Sequence, residues 1–355
     1  MKKAKLLIIA SIIFVVAGAL SFVVAFAGVG WDIKKLSTTT IKYSTVSASN
    51  TDLDLAGVNK IDFDGSTFDV QISYGAELSV TYPEIFTRGG KPAVKIKTTV
   101  KNGVLYISSS TNWLRTFGIF SFDSGKAEIV LPRDRNVDLS IEVNTGDVKF
   151  IGDASTKTDY VFVETSTGNV TMQDVIAETI KIEVDTGDAK LLDSRCEFAE
   201  IEGDTGNVKI TGSQITSTEI ETDTGDVKIK DAVINSAKIE TDTGDVRLED
   251  SAMAELTVRT STGDVNIVGN VCATKAKIRT STGDVSGKSA VLDTNEIRIT
   301  TSTGDVKLTL KGKISDFSFL INVSTGDSNV GSMVIGDKVF EAKVSTGDVK
   351  LYFTE

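Results

Sequence analysis

The 355-residue chain contains no histidine. That excludes a Ser-His-Asp triad, a Cys-His pair, His-ligated zinc and an imidazole proton shuttle. Two cysteines are too few for a four-thiolate zinc or iron–sulfur site. The three prolines, Pro83, Pro92 and Pro132, all precede residue 133, so no later ladder loses a donor to proline. Residues 199–316 contain no Phe, Tyr or Trp, and so no platform on which sugar rings stack. Basic residues are outnumbered 38 to 49, a formal net charge of −11. An acidic surface excludes nucleic acid, whose phosphates need a basic partner.

One absence is local. From Leu6 to Gly30 there is no charge, and Ser11 and Ser21 are the only polar side chains. A run of roughly 20 apolar residues spans a bilayer as a helix. Lys2, Lys3 and Lys5 precede it, which predicts a cytoplasmic N-terminus and an exported remainder. The competing reading is a cleaved signal peptide ending at Ala25-Phe26-Ala27, after which the chain is secreted. A signal core is about 7–15 residues, shorter than this run. Without the three lysines, 35 basic and 49 acidic residues remain, a balance of −14 that favours solubility. The expectation is a single-pass cell-membrane protein with an extracytoplasmic C-terminal part.

What is present in abundance is a repeat. Thr-Gly-Asp or Thr-Gly-Asn recurs eleven times, with glycines at 146, 168, 187, 206, 225, 244, 263, 283, 304, 326 and 347. A period of 19–22 residues marks a stacked architecture. Within one unit, Ile239, Thr241 and Thr243 alternate with Glu240 and Asp242, the period of a half-buried strand. Val246 and Leu248 resume the alternation after a one-residue slip, so the chain turns a corner at Gly244-Asp245. A third inward position falls nine residues after each glycine, at Cys196, Ile215, Ile234, Met253 and Cys272. The reading is an all-β fold: a β-solenoid of about eleven coils, roughly 50 Å long at about 4.8 Å per coil. The Thr before every glycine is expected to face inward and pass hydrogen bonds along its column. Cys196 and Cys272, four repeats apart in one column, are expected to be core residues too distant for a disulfide.

The remaining chain divides into a basic tip (1–5), the anchor (6–30), a Ser/Thr-rich stalk (31–57) with Trp31 at the membrane end, and an N-terminal β cap (58–140), with the solenoid over 141–355. In the cap, Val94–Val100 and Val104–Ser108 flank Lys101-Asn102-Gly103, the signature of a hairpin. Trp113, Leu114, Phe117, Ile119, Phe120 and Phe122 form an aromatic cluster. It is read as a plug for the first coil, with Trp113, Phe117, Phe120 and Phe122 as an alternative partner-binding surface.

Glu128–Pro132, Asp138–Val148 and the Ser/Asp-Thr-Gly-Asp-Val series resemble the bacterial "putative adhesin" β-strand-repeat family, domain of unknown function 4097, which includes LiaG-like proteins. The resemblance covers residues 58–355. It implies a membrane-anchored or exported β-solenoid of the bacterial envelope, in some members associated with envelope stress. It supplies no catalytic residues.

The strongest candidate for chemistry is an acidic stripe: Glu183 and Asp185, Glu202 and Asp204, Glu221 and Asp223, Glu240 and Asp242. Like charges about 4.8 Å apart repel by about 1 kcal/mol in water, and carboxylate oxygens suit Ca²⁺. A counter-stripe of Lys190, Lys209, Lys228 and Arg247 is expected to neutralise it from across the corner. After Asp242 the stripe changes to Arg259 with Ser261 and Arg279 with Ser281. The corner acids Asp147, Asp188, Asp226, Asp245, Asp264, Asp284, Asp305, Asp327 and Asp348 give way to Asn169 and Asn207, which suits backbone capping and not acid–base work. The sequence therefore predicts a non-enzymatic envelope module with no resident cofactor, partnered by the membrane, an envelope protein or a wall polymer, or by itself through an open last coil. The alternatives are a Ca²⁺-stabilised adhesive module and a polysaccharide-active β-helix enzyme using paired carboxylates.

Overall fold

The computed structural model describes residues 39–47, 53–87, 89–111 and 125–354, with scattered positions between 21 and 49. Among these, 28 strands form two ladders. The first, in spatial order, is β5 (Val94–Lys101), β6 (Val104–Thr111), β2 (Lys60–Thr67), β8 (Asp138–Thr145), β10 (Lys157–Thr167), β12 (Ile176–Thr186), β14 (Arg195–Thr205), β16 (Gln214–Thr224), β18 (Val233–Thr243), β20 (Ala252–Thr262), β22 (Asn270–Thr282), β24 (Glu296–Thr303), β27 (Lys338–Thr346) and β26 (Phe317–Thr325). The second is β1 (Thr39–Ser47), β4 (Ser79–Thr87), β7 (Lys126–Pro132), β3 (Asp69–Gly75), β9 (Val148–Ile151), β11 (Val170–Gln173), β13 (Ala189–Leu192), β15 (Val208–Thr211), β17 (Val227–Lys230), β19 (Val246–Glu249), β21 (Val265–Val268), β23 (Val285–Asp293), β25 (Val306–Lys311) and β28 (Val349–Thr354). From β2 and β3 onward, neighbours in each ladder are parallel and in register, which is the predicted β-solenoid.

The coil containing β17 and β18 shows why the sequence folds this way. Val227, Ile229, Ala232, Ile234, Ala237, Ile239 and Thr241 all point inward and are buried. Three-residue steps from Ile229 to Ala232 and from Ile234 to Ala237 break strict alternation and mark two further bends. The first bend follows a residue at positive φ, six positions after each glycine from Gly168 to Gly263: Asp174, Asp193, Gly212, Asp231, Asp250 and Gly269, with φ between 45° and 68°. Gly and Asp adopt this conformation readily. Beyond it lies a buried column of small residues in which Ser hydroxyls cap the coil below. Ser194 Oγ accepts the Val175 amide at 3.1 Å, and Ser251 Oγ accepts that of Ala232 at 3.1 Å.

The Thr-Gly-Asp corner is held by a continuous side-chain ladder. The Asn169 amide donates to Asp147 Oδ1 at 2.7 Å, and the Asp188 amide donates to Asn169 Oδ1 at 2.9 Å. The series continues through Asn207, Asp226, Asp245, Asp264, Asp284, Asp305, Asp348 and Asp327. Asn substitutes because only an acceptor oxygen is needed. At the other end the Asp147 amide donates to Asp69. Thr67-Phe68-Asp69-Val70 is therefore a further corner of the same kind, with Phe in place of Gly.

Several expectations change. The Thr preceding each glycine faces outward; Thr186, Thr205, Thr224 and Thr243 are exposed. The buried column lies two residues earlier, where Thr241, Thr260, Thr280 and Thr301 hydroxyls reach the carbonyls of Gly225, Gly244, Gly263 and Gly283 at 3.3–3.5 Å. The slip at the corner begins one alternation sooner than the apolar pattern suggests. Cys196 is buried, but Cys272 is exposed. The coil after Gly263 has one extra residue, Asn270, so Val271 and Ala273 turn inward and Cys272 stacks on Ala252. Part of the expected stalk belongs to the fold, since β1 pairs antiparallel with β4.

The last coil is not open. β27 lies between β24 and β26, and β28 lies on β25, so the chain's final corner at Gly347 is the penultimate one in space. The end of the stack is the Gly326 coil. Its edge is covered by antiparallel pairing of Phe319 with Met333 and by Asn329, whose side chain bonds both the amide and the carbonyl of Leu351 at 2.9 Å. Phe317, Phe319, Phe340 and Phe353 fill the core beneath. At the opposite end Phe63, Phe68 and Phe150 do the same. The predicted hairpin forms β5 and β6, with Asn102 and Gly103 at φ 52° and 77°. The aromatic cluster, including Trp113, Phe117, Phe120 and Phe122, and most of the expected anchor lie outside the described residues. Among the described residues no helix is long and apolar enough to cross a membrane.

Candidate binding surface

Beside the corner the long-strand ladder presents three outward columns; the Glu residues of the acidic stripe form the central one, and Asp185, Asp204, Asp223 and Asp242 form the one next to the corner. Register stacks Glu183 on Glu202, Glu202 on Glu221 and Glu221 on Glu240. The column is longer than its densest repeats suggest, because Asp64, Glu142 and Glu164 continue it toward the N-terminal end. Beyond Glu240 it passes to Arg259 and Arg279.

Repulsion along the column is relieved from within the same face and not across the corner. Lys181 lies 2.8 Å from Glu183, 3.2 Å from Glu200 and 3.6 Å from Glu202. Lys238 pairs with Glu219, with Glu221 at 3.3 Å and with Glu240 at 3.5 Å, and Arg259 meets Glu240 at 2.9 Å. Hydrogen bonding to these carboxylates, Glu183 foremost for Lys181 and Glu219 for Lys238, holds both ammonium groups well above the usual lysine range. The expected counter-stripe serves other acids: Lys190 pairs with Asp188 at 3.0 Å, while Lys228 and Arg247 pair with Glu249 at 3.0 and 3.2 Å. Strand pleating directs these side chains along their own short strand, away from the stripe. Lys230, then Lys228, hold the Glu249 carboxyl down at about 2.

Two carboxylates of the column remain raised. Glu164 is raised from its ordinary value by burial and then by Glu142 and Glu183. Glu202 is raised by sharing a hydrogen bond with Glu200, then by burial. Among the described residues no three acidic or thiol groups converge closely enough to hold a metal ion.

Two of the depressions among the described residues bear on binding. One, of about 400 Å³, lies where the column changes sign, between Glu221, Asp223, Glu240 and Asp242 on one side and Arg259 and Arg279 on the other. The other, of about 680 Å³, runs along the coils at the bend following the third inward position and is lined by Lys157, Ile176, Gln214, Thr216, Val233 and Asn235, among others. Its wall includes Val233, 59% exposed. The sequence analysis missed this groove; its readable signal was the pair Ile176 and Val233 at equivalent outward positions of the repeat.

A family model described as Toastrack DUF4097 matches residues 58–231 and 214–351. The chain belongs to the Toastrack DUF4097 family. The Toastrack match begins in the cap and runs through the last corner, so cap and solenoid fall within it together. Solved structures that resemble this chain include a "putative adhesin" from Bacteroides fragilis, 15% identical over 87% of this chain and 97% of that one, with a TM-score of 0.34. Another is a "putative adhesin" from Parabacteroides distasonis, 13% identical over 88% and 97%, with a TM-score of 0.28. A "putative cell adhesion protein" from Clostridium sporogenes is 10% identical over 89% and 100%, with a TM-score of 0.19. No curated protein matches.

Proposed function

We propose that this Toastrack chain is a membrane-anchored, extracytoplasmic, non-enzymatic module of the cell envelope that binds an extended partner, an envelope protein or a wall polymer. The observation behind this reading is the longitudinal groove of about 680 Å³ lined by Ile176, Gln214 and Val233. The groove runs across successive coils at equivalent positions, from Ile176 through Arg195, Gln214 and Val233 to Ala252, which suits a partner lying along the axis. Catalysis would instead need unlike groups gathered on one bond. Anchoring rests on the uncharged run from Leu6 to Gly30 and the lysines before it.

The test uses the full-length chain in native membranes. It should resist alkaline extraction and retain isolated cell-wall material or a co-purifying envelope protein. Val233→Glu, an outward change, should abolish retention without altering the melting temperature; undiminished retention contradicts the groove. Melts in EDTA and in millimolar Ca²⁺ should coincide, because Lys181, Lys238 and Arg259 already hold the stripe. A rise of many degrees assigns the stripe to calcium.

A further inference from the structure

The long-strand face reverses its charge along the solenoid axis. Glu219, Glu221 and Asp223 carry −3, and Lys238, Glu240 and Asp242 carry −1. The next two coils follow with +1 from Thr257, Arg259 and Ser261, and +2 from Lys277, Arg279 and Ser281. These rows stack in register, so the four coils form a continuous patch with an acidic end and a basic end. Successive corner glycines from Gly168 to Gly283 are 19 or 20 residues apart, so no loop rises above the patch.

Charges on this face are incompletely paired. Glu221 and Glu240 are held by Lys238 and Arg259. Among the described residues Asp185, Asp204, Asp223 and Asp242 form no ion pair, and neither do Lys277, Arg279 and Lys343. Unpaired acids and unpaired bases therefore share one face but lie too far apart along the axis to meet within the chain.

We propose that this face docks a second copy of the same chain, antiparallel, about a two-fold axis that lies in the face, parallel to the strands, between the Glu240 and Arg259 rows. That operation sets the +2 row on the −3 row and the +1 row on the −1 row. Arg279 then meets Glu221 and Asp223 of the second copy, beside the depression of about 400 Å³ that lies on the axis. A parallel arrangement sets acid on acid. The surface from the Glu183 row to the Lys343 row measures roughly 34 by 23 Å, about 800 Å² per copy, enough for an interface of standard size. Such an interface is isologous and closes at two copies. Because its pairs are solvent-facing, it is screened by salt. The groove at Val233 lies on a different side of the coil and stays open.

Sedimentation of the detergent-solubilised full-length chain tests this. A dimer is expected at about 50 mM NaCl, with self-association weakened at least about tenfold at about 500 mM. Arg279→Glu should abolish the dimer, and Arg279→Glu combined with Glu221→Arg should restore it, since both lie outside the core. In a Cys272→Ser background, Ser281→Cys chains should crosslink to Asp223→Cys chains and not to one another. A monomer at both salt concentrations, loss without rescue, or Ser281→Cys chains crosslinking to themselves each overturns the proposal.

Discussion

At the corner glycines, adjacent coils approach so closely that a methyl group has no room. A Cβ on Gly225 would lie 1.8 Å from the carbonyl oxygen of Gly206, at a φ of 157°. Gly225→Ala should cost at least about 2–3 kcal/mol, combining backbone strain with the displacement of a coil. Denaturant titration measures it, and a loss under about 1 kcal/mol contradicts the close stacking. The neighbouring Asp226 has a milder task, accepting the Asp245 amide at 2.9 Å. Asp226→Asn should be nearly neutral, and Asp226→Ala should cost about 1–2 kcal/mol by leaving that donor unpaired. This role was legible because Asn already stands at two of these corners. The orientation of the preceding Thr was not, since Thr suits both faces of a strand.

Among strands, the informative place is β14. Its column reads Val184, Gly203, Thr222 and Thr241, and only Gly203 lacks a side chain. Thr222 Oγ1 is buried there without a partner, while Thr241 reaches a carbonyl. A Cβ on Gly203 would meet its neighbours at 3.7 and 3.9 Å, ordinary contact distances. Gly203→Ala should therefore stabilise the protein by about 0.5–1 kcal/mol through the unfolded chain; a destabilised variant shows that the gap serves something else. The long and short strands and the hairpin at Asn102-Gly103 were visible as alternation. The second corner was hidden because its left-handed residue is sometimes Asp and sometimes Gly. The transposed final coils were hidden too, since spacing does not encode spatial order. One signal was present: the residue after the corner is Val or Ala in ten repeats and Ser328 in the eleventh, the coil that ends the stack.

Across the molecule, carboxylates of opposite tendency shape the response to pH. Asp188 is lowered because its bonds from the Asn207 amide and Lys190 outweigh burial; Asp305 is lowered by the Asp348 amide, and Asp348 by Lys350. Groups lowered in the folded state stabilise it above the ordinary Asp range, and that stability is lost as pH falls through their lowered values. Glu164 and Glu202 are raised, so they cost stability at neutral pH and return it on acidification through their raised values. Melting temperature should hold or rise on mild acidification and fall below about pH 4. A steady fall from pH 7 contradicts this balance. The acidic stripe was legible in the sequence, but its neutralising partners were not, because pleat direction, and not sequence distance, decides which lysines reach it.

The two cysteines report on the fold and on the side of the membrane at once. Cys272 is exposed on a solenoid expected outside the membrane, and Cys196 is buried with its thiol pushed up to about 12. Intact cells expressing the full chain are treated with a membrane-impermeant maleimide. One label per chain is expected, lost in Cys272→Ser, and a second only after denaturation. Labelling that requires cell lysis places the solenoid inside the cell, and two labels on intact cells contradict the fold.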